Sequence, residues 1–130
     1  MSEQYLSSTI LIVDDSDYIR TIMTTLFKKE GLTKIFTAAD GLSAVEKFKQ
    51  LNPDLVVLDI MLPKKNGMDV LEDIMKINPK ARVVMISSLA NPENVGAAKK
   101  AGALYYFVKP YDNQFFLNIV KEILSNRGEN

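Results

Sequence analysis

The sequence predicts an α/β fold: a doubly wound, five-stranded parallel sheet with five helices distributed over both faces. Three observations predict it. Five short apolar runs recur along the 130 residues, segments of helical period separate them, and the connections are only a few residues long. No Pro/Gly/Ser-rich linker or charge run divides the chain, so residues 1–130 are expected to form one domain with a core at about residues 8–126.

The first run, Thr9 to Val13, reads TILIV and is continuous rather than alternating, as a strand buried on both faces should be. Ile19, Ile22, Met23, Leu26 and Phe27 then lie at helical spacing, with Gly31 as a left-handed stop. Ile35 to Ala38 is a weaker strand. Asp40 can cap a second helix whose Val45 and Phe48 face inward, and Asn52-Pro53 ends it. Leu55 to Leu58 (LVVL) is the third strand, and Leu71, Ile74 and Met75 mark the third helix. Val83 to Ile86 (VVMI) is the fourth strand; Asn91-Pro92 supplies a cap and a first-turn proline for a helix closed by Gly102. Leu104 to Val108 is the fifth strand. Asp112 can cap the last helix, along which Phe116, Ile119, Val120, Ile123 and Leu124 form a stripe.

Composition removes several chemistries. With no His and no Cys there is no histidine general base, thiol nucleophile, disulfide or ordinary zinc site. Sixteen Lys plus Arg balance sixteen Asp plus Glu, which argues against bulk binding to nucleic acid or an anionic membrane. Residues 1–8 lack a secretory pattern, and no run approaches the roughly 18 apolar residues of a membrane span. A cytoplasmic protein is expected.

In parallel sheets of this kind ligands sit at the carboxyl ends of the strands. Those ends carry Asp14-Asp15 after the first strand, Asp59 after the third, Ser87-Ser88 after the fourth and Lys109-Pro110 after the fifth. Three carboxylates against one ammonium leave a formal charge of about −2 in a small cleft, costly unless a divalent cation occupies it. Oxygen-only ligands favour a hard ion, Mg²⁺ (or Mn²⁺). Such a cluster, with its lysine and hydroxyl, can accept a phosphoryl group. Asp59 is central among the strands and is the nucleophile candidate, whereas Asp14 and Asp15 are paired as an ion-binding set would be.

At these residues the chain closely resembles the CheY-like receiver domains of bacterial two-component response regulators. The matching stretches are LIVDDS at 11–16, DLVVLDIMLPKKNGMDVL at 54–71, VVMISS at 83–88 and AGALYYFVKPY at 101–111. The resemblance implies a flavodoxin-like sheet in strand order 2-1-3-4-5. It makes Asp59 the phosphoacceptor, with Mg²⁺ bound directly by Asp15, Asp59 and the backbone carbonyl of Met61, and by Asp14 through water. Ser87 becomes the switch hydroxyl, Lys109 the phosphate contact in a cis Lys109-Pro110 pair, and Tyr106 the aromatic switch that turns inward. The implied donor is a phosphohistidine on a sensor histidine kinase or phosphotransfer protein. Output would pass by protein contact through the surface of the fourth helix, fifth strand and fifth helix, as a monomer or a phosphorylation-dependent dimer. The domain would catalyse only its own phosphorylation and dephosphorylation.

Several residues depart from the family's habits. Ser88 replaces the usual small residue after the switch hydroxyl and is expected to face solvent. Met61 and Leu89, two residues beyond Asp59 and Ser87, are apolar where relatives often carry groups that orient water, so a long-lived acyl phosphate is expected. The Lys64-Lys65 pair is ordinarily a solvated feature; the alternative is steering toward an acidic donor. Phe115 lies about 100° off the apolar stripe of its helix, and with Tyr105 and Tyr106 it is the candidate interface patch.

Two other functions compete. Asp15-Ser16-Asp17 superficially resembles the DxD of haloacid-dehalogenase-type phosphatases, making Asp15 the nucleophile of a phosphohydrolase. It leaves Asp59 without a role, and the chain has neither a late acidic pair nor a cap insertion. A flavodoxin-type cofactor module would need a phosphate cradle where Asp14-Asp15 puts like charge. The chain ends at SNRGEN with no effector domain, so a complete single-domain regulator is expected over a fragment of a longer one.

Overall fold

A computed structural model describes residues 4–126; the expectations for the extreme ends, residues 1–3 and 127–130, lie outside the described residues. After a single 3-10 turn at Gln4–Ser7, five strands alternate with five helices: β1 Thr9–Val13, α1 Asp17–Lys29, β2 Lys34–Ala38, α2 Gly41–Leu51, β3 Leu55–Asp59, α3 Gly67–Ile77, β4 Val83–Ser87, α4 Pro92–Lys100, β5 Tyr105–Val108 and α5 Asn113–Ser125. All pairings are parallel and the order is β2-β1-β3-β4-β5.

Alternate residues of the three inner strands supply two cores. Leu11, Val56, Leu58, Val83 and Met85 pack under α2, α3 and α4, against Ala44, Phe48, Leu71, Ile74 and Ala98. Ile10, Ile12, Val57, Val84 and Ile86 pack under α1 and α5, against Met23, Phe27, Phe116, Val120 and Leu124. A continuous apolar run is what a strand needs when both of its faces are covered. Strand β2, at the edge, alternates instead, and only Ala38 is fully buried.

Helix ends follow local chemistry. Asp40, Asn91 and Asp112 accept the backbone N–H groups of Ser43, Asn94 and Phe115, each at 2.8 Å, as their spacing predicts. Gly31 and Gly102 sit at φ +100° and +117°, each the residue after a helix cap, with paired bonds back into the last turn: Leu32 N–H to the Phe27 carbonyl and Ala103 N–H to that of Ala98. Ser16 and Asn66 cap α1 and α3 in the same way, which the apolar pattern did not signal.

Three side chains depart from the expected pattern. Ile22 is more than a third exposed, because α1 buries its Met23–Phe27 edge and Ile22 lies at the margin of that stripe. Leu117 is buried although it stands outside the expected stripe on α5. Leu104 precedes β5 rather than beginning it and is half exposed. Strands β3 and β4 each run one residue further than their apolar runs, so Asp59 and Ser87 are the last residues of strands and inherit the rigidity of the sheet.

Candidate functional site

Consecutive connections leave β1 and β3, central neighbours in the sheet, in opposite directions, so a cleft opens at their carboxyl ends. Asp14 stands there immediately after β1, its N–H bonded to the Ala38 carbonyl at 3.2 Å. Asp59 ends β3 in register with Ile86, and Ser87 ends β4 beside Val108. Lys109 follows β5, its N–H donating to the Ser87 carbonyl at 2.9 Å, and the Lys109-Pro110 bond is cis.

The side chains converge. One carboxylate oxygen from each of Asp14, Asp15 and Asp59 lies within 4.8 Å of the others. The Lys109 ammonium is 3.5 Å from Asp59 Oδ2 and 3.8 Å from Asp14 Oδ2. Asp14 and Asp59 are only 4 % and 7 % exposed, whereas Asp15 is exposed. Backbone donors orient the buried pair: Ser16 N–H reaches Asp14 Oδ1 at 2.9 Å, and Met61 N–H reaches Asp59 Oδ1 at 3.1 Å.

Electrostatically the cluster is short of positive charge. Burial pushes the Asp59 carboxyl above its ordinary value of 3.8; the Lys109 charge opposes this and the Asp14 charge adds to it. Tyr111, which the sequence reading left unassigned, is partly buried near enough to the cleft to feel its carboxylates. Burial, reinforced by Asp14 and Asp59, pushes its phenol up to about 12, and its ring packs on Phe107 and Phe116 at 5.6 and 5.3 Å between centroids.

Ser87 is fully buried, and its Oγ accepts the Leu89 N–H at 3.0 Å, leaving the hydroxyl hydrogen to point elsewhere. The Tyr106 hydroxyl donates to the Leu89 carbonyl at 2.6 Å. Both groups therefore grip the same residue of the loop between β4 and α4. Tyr106 is turned inward and only 7 % exposed, so it adds little to a surface patch; Phe115, 45 % exposed, and half-buried Tyr105 are the accessible members, with ring centroids 6.0 Å apart. Met61 and Leu89 are both exposed on the rim, as is Ser88.

The loop between β3 and α3 is clamped from two sides, a feature the sequence reading missed. Gly41 N–H donates to the Pro63 carbonyl at 3.2 Å, and a Cβ on Gly41 would fall 1.9 Å from the Lys65 carbonyl oxygen. Gly67 N–H donates to the Ile60 carbonyl at 2.7 Å. The two lysines of this loop each have a carboxylate: Lys64 is 3.7 Å from Asp40 and Lys65 is 2.7 Å from Asp73. Arg20, also unforeseen, donates from Nη1 to the Asp14 carbonyl at 2.6 Å.

Oxygen-only donors, a formal excess of negative charge and the burial of Asp14 and Asp59 suit a hard divalent cation held by Asp14, Asp15 and Asp59. The geometry also ties Lys109 to Asp59 and Asp14 rather than to Asp15, which weighs against a phosphohydrolase built on Asp15.

Comparison with known proteins agrees with this geometry. The family model for the response regulator receiver domain matches residues 10–121. The chemotaxis protein CheY of Thermotoga maritima is 39% identical over 106 residues, 82% of this chain and 88% of that protein. CheY of Bacillus subtilis is 34% identical over 120 residues, 92% of this chain and 100% of that protein. Among solved structures, a chain of the CheX–CheY–BeF3–Mg²⁺ complex from Borrelia burgdorferi is 41% identical with a TM-score of 0.85, covering 89% of this chain and 88% of that one. With its sheet order, its acidic cleft and these matches in accord, the chain belongs to the family of response regulator receiver domains, as a CheY-like member.

Proposed function

We propose that this receiver takes a phosphoryl group onto Asp59 from a phosphohistidine of a sensor kinase or phosphotransfer protein. An Asp59 carboxylate oxygen bonds to phosphorus as the P–N bond breaks, and the donor imidazole leaves with a proton from solvent. Lys109, 3.5 Å from the acceptor, holds a phosphoryl oxygen, and the Ser87 hydroxyl donates to another. Asp14, Asp15, Asp59 and the Met61 carbonyl are the groups that would hold Mg²⁺, which supplies the positive charge that screens the carboxylates from the incoming phosphate. The observation that carries this reading is the Asp59–Lys109 pair inside an oxygen-only acidic cluster. Incubation with a small acyl phosphate should add one phosphoryl mass in the presence of Mg²⁺ and none after chelation; a chelation-insensitive adduct would contradict it.

The domain catalyses only its own phosphorylation and dephosphorylation, in the cytoplasm where its donor resides. It signals through a protein target rather than through nucleic acid. When Ser87 Oγ turns toward the phosphoryl group it releases the Leu89 N–H, and the loop that Tyr106 also holds is free to resettle. The target then docks at the α4-β5-α5 face on Phe115 and Tyr105. Phe115→Ser should weaken capture of the target by beryllofluoride-treated protein by about tenfold, as for an apolar anchor; undiminished capture would remove this surface as the interface.

Exposed Met61 offers no polar group to water approaching the acyl phosphate. Met61→Asn should therefore speed phosphate loss about tenfold, within the range of a positioned polar group, read as decay of the labelled protein. An unchanged decay rate would show that this position does not control the lifetime.

A further inference from the structure

Asp14 and Asp59 are each aimed by a backbone N–H. Asp15 accepts no such bond in the described residues and is exposed, yet its carboxylate faces the other two. Its direction therefore depends on the placement of its own backbone together with its rotamer. That backbone is held on its C-terminal side by Ser16, whose N–H donates to Asp14 and whose hydroxyl caps α1 through Ile19 N–H at 3.2 Å. On the N-terminal side the anchor is Arg20. Its Nη1 donates at 2.6 Å to the Asp14 carbonyl, and that oxygen lies in the same rigid plane as the Asp15 N–H. The Arg20 side chain is mostly buried, one turn into α1, and its other arm pairs with the nearly fully exposed carboxylate of Asp17.

We propose that Arg20 is a positioning residue of the cation site, holding the Asp14–Asp15 peptide so that the Asp15 carboxylate closes the cluster. This rests on the reading of the cluster as a divalent-cation site. Charge alone predicts the opposite effect. A guanidinium beside the cluster repels a dication, so an Arg20 acting only through its charge would bind Mg²⁺ less tightly than its neutral variants. Positioning predicts that those variants bind it less tightly than the wild type.

The test is a Mg²⁺ titration of the full chain followed by amide NMR shifts, which report in the same samples that each variant is folded. Arg20→Met should weaken Mg²⁺ binding about tenfold, the lower end of losses caused by removing outer partners of metal ligands. Arg20→Gln, polar but too short to reach the carbonyl, should do the same and serves if the apolar variant fails to fold. Asp17→Asn, which leaves the carbonyl bond in place, should stay within about twofold of wild type, as expected of an exposed ion pair. In an Asp15→Asn background the Arg20→Met loss should vanish, because the residue it acts through has been removed. Unchanged or tighter binding in both Arg20 variants, or an equal loss in the Asp15→Asn background, overturns the proposal. A wild-type chain that binds no Mg²⁺ overturns the cation-site reading beneath it.

Discussion

Gly67→Ala should cost the protein roughly 2–3 kcal/mol of stability, at the upper end of ordinary overpacking, and with it most of its capacity for phosphorylation. A Cβ at this position would lie 2.3 Å from the Asp59 carbonyl oxygen and 2.6 Å from the Ile60 Cα. These are backbone atoms at the end of a buried strand, so no side chain can swing aside; either α3 withdraws or the peptide carrying Asp59 moves. The first outcome breaks the bond from Gly67 N–H to the Ile60 carbonyl, and the second shifts the Asp59 carboxylate that Met61 N–H orients. Gly96→Ala is the companion experiment. Gly96 lies within α4 with nothing near the position of its missing Cβ, and alanine there should stabilise by about 0.5–1 kcal/mol through helix propensity. Urea unfolding of the two variants should move in opposite directions; a Gly67→Ala protein as stable as wild type would show that the close approach does not constrain the site.

Asp59→Asn should abolish phosphorylation while making the metal-free protein more stable at neutral pH, by on the order of 1 kcal/mol after solvent screening, because burial, reinforced by Asp14, penalises the Asp59 carboxylate more than Lys109 favours it. The sign follows from the raised carboxyl. A group with a higher pKa folded than unfolded binds its proton more tightly in the folded state, so its ionisation penalises folding. The full penalty is present above the folded pKa. It is relieved as pH falls through that value, and is gone below the unfolded value near 3.8. The stability difference between Asp59→Asn and wild type should therefore be largest at neutral pH and shrink toward pH 4. Mg²⁺ should narrow it as well, by stabilising the wild type more than the variant. A variant less stable than wild type at pH 7 without metal would contradict this account of the cleft.

The fold was legible because parallel strands covered on both faces must be apolar at every position, and the runs TILIV, LVVL and VVMI meet that demand without competition from helix periodicity. The site was legible for a related reason: Asp14, Asp59 and Ser87 adjoin those runs in sequence and Lys109 adjoins the weaker fifth strand, so locating the strands located the residues. What stayed hidden depends on approach between distant segments. Gly41 against Lys65, and Gly67 against Asp59, are contacts in which the informative atom is the one a glycine lacks. Arg20 reads as one more polar residue on α1, and only the turn after β1 brings its guanidinium to the Asp14 carbonyl. Helical period placed Ile22 within the stripe of α1 and Leu117 outside that of α5, because a stripe in sequence does not show how far the neighbouring helix extends over it. Tyr106 was readable as an aromatic near the lysine, but its bond to the Leu89 carbonyl is set by a loop whose path the sequence does not specify.

The central claim is that Asp59 receives the phosphoryl group. Phosphorylating the full chain with a small acyl phosphate and Mg²⁺, reducing the acyl phosphate with borohydride and locating the altered residue by peptide mass spectrometry tests it most directly. This account predicts homoserine at position 59 and none at positions 14 and 15. Modification of Asp15 in place of Asp59 would contradict it and return the DxD phosphohydrolase to first place.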